Sequence, residues 1–150
     1  MPVPEGTTIR YARREDVPTI LQLINELAEY EKELDSVEAT IESLSNTIAF
    51  APSPIITAHK TTPSTGDAIS ASRPARAILI FNPAGEPAGL ALYFYNYSTW
   101  RAKPGIYLED LFVRETERGH GYGQALLGEL AKEVFEMGGW EVGVECFEVE

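Results

Sequence analysis

Arg118-Gly119-His120-Gly121-Tyr122-Gly123 is the segment that most restricts how this chain can fold. It follows an apolar, strand-like run, Ile106–Val113, and opens a run with helical spacing from Gln124 to Met137. Glycines here leave no Cβ atoms between the main chain and an approaching group. The helix that follows begins with N–H groups that lack intrahelical acceptors, and its dipole adds partial positive charge at that end. A strand, a glycine-rich turn and a helix in this order form a cradle for an anion such as a diphosphate.

Phosphate-binding turns differ in how they end. A Walker loop finishes in Gly-Lys-Ser/Thr, whereas Gly123 is followed by Gln124-Ala125. A dinucleotide-binding turn requires G-x-G-x-x-G in the first strand–helix unit. Counted from Gly119 or Gly121, the third glycine position holds Gln124 or Leu126, and the turn lies late in the chain. The pattern present is Arg-x-x-Gly-x-Gly.

The chain has 150 residues, which suits a single domain with one core. No apolar run approaches the ~20 residues that span a bilayer, and Met1-Pro-Val-Pro-Glu-Gly lacks the pattern of a secretion signal. Cys146 has no second cysteine to pair with. These features lead to the expectation of a cytoplasmic protein with no membrane association. The net charge of −11 is compatible with a simply soluble surface. It would also repel nucleic acid and draw in a cationic small molecule.

Along the chain, Thr8–Tyr11 reads as a short first strand. Asp16 reads as an N-cap with Pro18 in the first turn, and Val17, Ile20, Leu21, Ile24, Leu27 and Ala28 predict a helix over 17–31 with one buried face. Glu26, Glu29, Glu31 and Glu33 gather toward its end, as a solvated face or as an acidic lip for an ammonium ion. Thr40 reads as a second N-cap, for a shorter helix through Leu44 and Ile48. Residues 57–76 read as a surface loop. Ala77–Phe81 and Gly89–Tyr95 predict a hairpin joined by the turn Asn82–Gly85. Leu126, Leu127, Leu130, Ala131, Val134 and Phe135 form the apolar stripe of the helix after the glycine turn, and Gly138-Gly139 stops it. Trp140–Phe147 is then a strand parallel to 106–113 if the crossover is normal. His59 has no companions at metal-ligand spacing, so no metal site is expected. Cys146 reads as a buried strand residue rather than a nucleophile.

Arg118–Gly123 resembles the acetyl-CoA loop of the GNAT acetyltransferase superfamily. Ile9-Arg10 with Ile20–Glu31, then Gly89–Trp100, then Tyr107–Val113 with the loop resemble the diamine (spermidine/spermine) acetyltransferase branch in that branch's order. They cover most of residues 7–145 except a divergent stretch around 50–80. The resemblance implies an α/β (α+β) fold with a mixed, mostly antiparallel central sheet flanked by helices, in one domain over 1–150. It implies acetyl-CoA as cosubstrate, a cationic small-molecule amine of polyamine or diamine type as acceptor, and a homodimer. By the same resemblance Arg118, Gly119, His120, Gly121, Tyr122, Gly123 and Gln124 hold the diphosphate. The backbone of Leu111, Phe112 and Val113 holds the pantetheine arm, with an N–H of Leu111 polarising the acetyl carbonyl. Tyr30 and Glu31 contact the amine.

Acetyl transfer to an amine needs a proton acceptor, because an alkylammonium has a pKa near ~10 and attacks only once neutral. Glu109 is the candidate, as a carboxylate in the middle of a strand is costly to bury without purpose, and the resemblance places the substrate carboxylate there. Strict alternation puts Glu109 and Asp110 on opposite faces unless a bulge intervenes. Asp110 is left as a structural acid or a contact from the rim, and one of the pair could simply be salt-bridged. His120 and Tyr122 are expected to flank the loop without a catalytic role.

The resemblance also implies a further helix and strands after residue 147, including a tyrosine that serves as general acid. The end of the chain, Cys146-Phe-Glu-Val-Glu150, contains no such segment, so the domain is expected to be shortened at its C-terminal end. Three readings remain open. One is transfer to a polyamine or diamine. Another is the same chemistry on a different amine, such as a thialysine-like amino acid or a protein lysine. The third is a catalytically impaired acyl-CoA-binding or dimerisation module.

Overall fold

Mainly apolar runs, buried on both faces in the central strands, build five strands in the described part of the chain: β1 (Thr8–Tyr11), β2 (Ala75–Phe81), β3 (Pro87–Ser98), β4 (Lys103–Val113) and β5 (Val142–Val144). The structure is a computed structural model, and it describes residues 2–53 and 66–144. The strands form one sheet in the order β1-β2-β3-β4-β5. Neighbours are antiparallel from β1 to β4, and β5 runs parallel to β4. The fold class is therefore the mixed, mostly antiparallel sheet expected, and the crossover from β4 to β5 passes through α3 (Tyr122–Glu136). β2 begins at Ala75, two residues inside the stretch read as loop, because its first residues pair with Phe94 and Tyr93 of β3. The predicted loop residues 57–65, His59 and Cys146 lie outside the described residues.

The sheet carries a core on each face. On one side Leu126, Leu130 and Val134 of α3 pack against Ile80, Tyr93, Ile106 and Leu108. On the other, α1 (Val17–Tyr30) and α2 (Ile41–Thr47) cover Leu79, Leu90 and Phe112. In α1 the buried residues are Val17, Ile20, Leu23, Leu27 and Ala28, with Leu21 and Ile24 at the margin. Leu23 was not in the predicted stripe, since a stripe drawn at i, i+3, i+4 from Val17 passes beside it. Phe135 of the predicted α3 stripe is 85% exposed; the sheet is met by residues spaced four apart, and Phe135 falls outside that row. α2 starts as its sequence suggests, with Thr40 Oγ1 accepting from the Ser43 N–H at 3.0 Å.

Asp16 occupies the N-cap position of α1, but its side chain makes no cap to that helix. It accepts instead from Arg10 Nη1 at 2.7 Å, Arg10 Nη2 at 3.0 Å and the Arg13 N–H at 2.7 Å. Burial opposes the charge on Asp16, yet these donors outweigh it and hold the carboxyl below its ordinary value.

Glu133 gives α3 a polar anchor that the sequence did not announce. Its carboxylate accepts from the hydroxyls of Tyr11 and Tyr93, each at 2.8 Å, and from the hydroxyl of Tyr95. Burial, then the hydrogen bond to Glu133, pushes Tyr11 up to about 12. Burial and the same carboxylate raise Tyr93 and Tyr95 as well. The far end of α3 is thereby tied to both β1 and β3. Among the described residues no helix is long and apolar enough to cross a membrane.

Candidate active site

β4 leads through a 3-10 turn, Glu115–Glu117, into the glycine turn, and α3 begins at Tyr122 rather than at Gln124. Gly119 and Gly121 adopt φ of 84° and 80°, the left-handed region that glycine enters without strain. Ala125 is the first residue whose N–H closes a helical bond, to the Gly121 carbonyl at 3.0 Å. Residues 121–124 thus supply the first-turn N–H groups of α3. A Cβ built on Gly119 meets nothing within 4 Å, so the turn opens onto space that a diphosphate could occupy, and the residues present fit that group.

Side chains within the turn differ in what they can offer. Tyr122, expected beside the loop, is 1% exposed and packs in the α3-side core, because the helix starts two residues early and turns it inward. Only its main chain can face a ligand. His120 is exposed, with Nδ1 2.9 Å from the Glu117 carbonyl oxygen. Gln124 is exposed on the first turn of α3. Arg118 donates from Nε to the Val113 carbonyl at 3.0 Å, and its guanidinium carbon lies 4.6 Å from the Tyr30 ring centroid and 5.9 Å from that of Phe112. Arg118 therefore bridges the end of α1 and the end of β4. It also engages a carbonyl in the stretch assigned to the pantetheine arm. Leu111, Phe112 and Val113 pair with Ala91, Leu90 and Gly89 of β3. Among the described residues β5 pairs with β4 only from Ile106 to Leu108, so no described strand borders the other edge of residues 111–113.

A cavity of about 320 Å³ sits beside the turn, lined by Glu26, Glu29, Tyr30, Phe112, Glu115 and Arg118. The four acids at the end of α1 do not form one lip. Glu26 is paired with Arg114, Nε to Oε1 at 3.0 Å and Nη2 to Oε2 at 2.8 Å. Glu33 accepts from the Ser36 hydroxyl at 3.1 Å. Glu29 lines the cavity, and Glu31 acts on Asp110 through its charge. The Glu26–Arg114 pair, which clamps α1 to the exit of β4, was missed; its partners are far apart in sequence and neither belongs to a motif.

The β3–β4 ladder settles how the two strand acids lie. Tyr93 is opposite Leu108 and Leu92 is opposite Asp110, so Glu109 is the extra residue of a β-bulge. Before the bulge, Ile106 and Leu108 face the α3-side core; after it, Leu111 and Val113 do. The step between inward residues lengthens from two to three at this one place, and Glu109 and Asp110 both fall to the α1 side. On that side Phe94 stacks on Tyr107 at 4.9 Å. Glu109 is exposed and Asp110 is half-buried. Burial raises the Asp110 carboxyl from 3.8 to about 6, and the charges of Glu109 and Glu31 act in the same direction. Among the described residues neither strand acid forms an ion pair.

An acid raised in the folded state binds more protons folded than unfolded between pH 3.8 and about 6. The penalty is absent below that window and complete above it. Asp110→Asn is accordingly expected to stabilise the protein at pH 7.5 by roughly 1 kcal/mol, the raw shift being discounted for partial solvent access. The gain should disappear below about pH 4, and thermal melts across pH check it.

Comparison with known proteins bears on this geometry. Residues 41–148 match the Acetyltransferase (GNAT) family. The chain is 33% identical over 135 residues to the thialysine N-epsilon-acetyltransferase of Bos taurus, a match spanning 87% of this chain and 68% of that protein. It is 30% identical over 124 residues to the spermidine/spermine N(1)-acetyltransferase-like protein 1 of Homo sapiens, spanning 83% of this chain and 16% of that protein. Its fold is similar to that of the aminoglycoside acetyltransferase meta-AAC0020 from an uncultured soil metagenomic sample, with a TM-score of 0.67, 16% identity, and 94% of this chain and 78% of that one covered. Because the matched stretch contains both the bulged strand and the glycine turn, the two can be interpreted together, and the chain belongs to the GNAT family of acetyl-CoA N-acetyltransferases.

Proposed function

We propose that the acceptor is a primary amine at the end of a flexible, cationic aliphatic molecule, of the polyamine, diamine or thialysine type, and that Glu109 accepts its proton. The observation that carries this reading is the bulge, which sets Glu109 and Asp110 on one face, with the charge of Glu31 acting on the same group. Asp110, with the charges of Glu109 and Glu31 acting on it, favours a ligand with positive charge, and the net charge of −11 favours its approach over that of nucleic acid.

Acetyl-CoA supplies the acetyl group already activated as a thioester. The chain's own residues then have three tasks. First-turn N–H groups of α3, with Arg118, hold the diphosphate. The backbone of Leu111, Phe112 and Val113 orients the pantetheine arm, and an N–H of Leu111 stabilises the oxygen that gains charge during attack. Glu109, exposed at the bulge, takes the ammonium proton directly or through water. Asp110 and Glu31, with the Tyr30 hydroxyl, fix the amine end. A homodimer, by family resemblance, and a cytoplasmic setting, from the sequence features above, belong to the same reading.

Free thiol released from acetyl-CoA in the presence of spermidine, thialysine or a lysine peptide tests the proposal. Turnover with at least one of these, and none with a neutral alcohol of similar length, is the expected result. CoA binding without thiol release from any of them would reject acetyl transfer to this class.

A further inference from the structure

Arg118 stands in a cavity lined by Glu26, Glu29 and Glu115, yet among the described residues it forms no ion pair. Glu26 is already committed to Arg114. What holds Arg118 is a carbonyl and two ring faces, the nearer being Tyr30: Nε donates to the Val113 carbonyl at 3.0 Å, and the guanidinium lies 4.6 Å from the Tyr30 ring centroid and 5.9 Å from that of Phe112. A ring face restrains a guanidinium without neutralising it, so the positive charge at the first residue of the glycine turn stays available to an anion. Tyr30 is the last residue of α1, on the amine side of the site, and the group it holds is on the diphosphate side.

We propose that Tyr30 is a positioning residue for the cosubstrate. Its ring keeps Arg118 extended toward the diphosphate cradle, and this task is separate from any contact its hydroxyl makes with the amine. The inference rests on the acetyl-CoA reading of the cradle. It assigns to a residue of α1 an effect on CoA affinity that neither its position nor its distance in sequence from the turn would suggest.

The test is the dissociation constant for CoA, measured by titration calorimetry on the wild type, Tyr30→Phe, Tyr30→Leu, Arg118→Gln and the Tyr30→Leu/Arg118→Gln double variant. Tyr30 is 45% exposed at a helix end, so these substitutions leave the core intact. Tyr30→Phe retains the ring and should bind CoA within about twofold of wild type, while Tyr30→Leu should bind about fivefold more weakly. In the Arg118→Gln background Tyr30→Leu should cost nothing further, because the group it positions is gone. Unchanged affinity in Tyr30→Leu would overturn the proposal, as would the same loss in the double variant. If the wild type itself fails to bind CoA, the cradle reading falls first and takes this inference with it.

Discussion

Gly119→Asp is expected to weaken CoA binding roughly a hundredfold in a protein that still folds, whereas Gly119→Asn should bind nearly as well as wild type. The space beside Gly119 is open to 4 Å, so neither side chain meets an obstacle. Its φ of 84° lies in the left-handed region, where Asn and Asp are the side chains best tolerated. The two variants therefore carry similar backbone strain and differ in charge. A carboxylate about 5 Å from a diphosphate, at an effective dielectric near 20, opposes binding by about 3 kcal/mol, roughly a hundredfold in affinity. The deficit should shrink as salt is added, since the two charges meet at an open surface. Calorimetric titration of CoA at two ionic strengths reads both effects. Equal affinities for the two variants would mean that the turn does not face the diphosphate.

Glu109→Gln carries the largest expected loss in turnover. Removing a positioned proton acceptor lowers the rate by about 10²- to 10³-fold, and CoA affinity should be unaffected, because Glu109 lies on the bulge and not in the turn. The deficit should narrow as pH rises toward the ammonium pKa near ~10, where the amine no longer needs help to lose its proton. Asp110→Asn separates the two acids. If Glu109 is the acceptor, Asp110→Asn acts chiefly on KM for a cationic amine, through the loss of one negative charge. Should Asp110→Asn instead show the larger fall in kcat and the same rescue by alkali, the acceptor is Asp110.

Local patterns made much of the architecture legible. The turn between β4 and α3 follows from glycine spacing after an apolar run, and the parallel placement of β5 follows from the helical crossover that precedes it. Thr40 capped its helix as its residue type suggested. What stayed hidden depends on which strands and helices meet. A bulge is a property of two strands in register, so Glu109-Asp110 looks the same in sequence whether the ladder is regular or not. The contact between Tyr30 and Arg118 and the clamp between Glu26 and Arg114 join segments far apart in the chain. Asp16 stands where a cap belongs, but Arg10 and the Arg13 N–H claim its carboxylate. In the same way Glu133 on α3 carries no sign in sequence that three tyrosine hydroxyls converge on it.

The bulge at Glu109 also changes what kind of genetic edit would retune this enzyme. In a regular strand, a point substitution alters one side chain and leaves the rest facing as before. Here the pairing of Glu109 and Asp110 on one side depends on one surplus residue in β4. Deleting it would do more than subtract a carboxylate. The ladder would close up into regular alternation, with Leu108, Leu111 and Val113 still facing the α3-side core and Asp110 left as the one acid of the pair on the α1 side. Selection for a less cationic acceptor can therefore proceed by substitution at these two positions, or by a single-codon deletion that removes one acid and the kink together while the inward-facing residues keep their places.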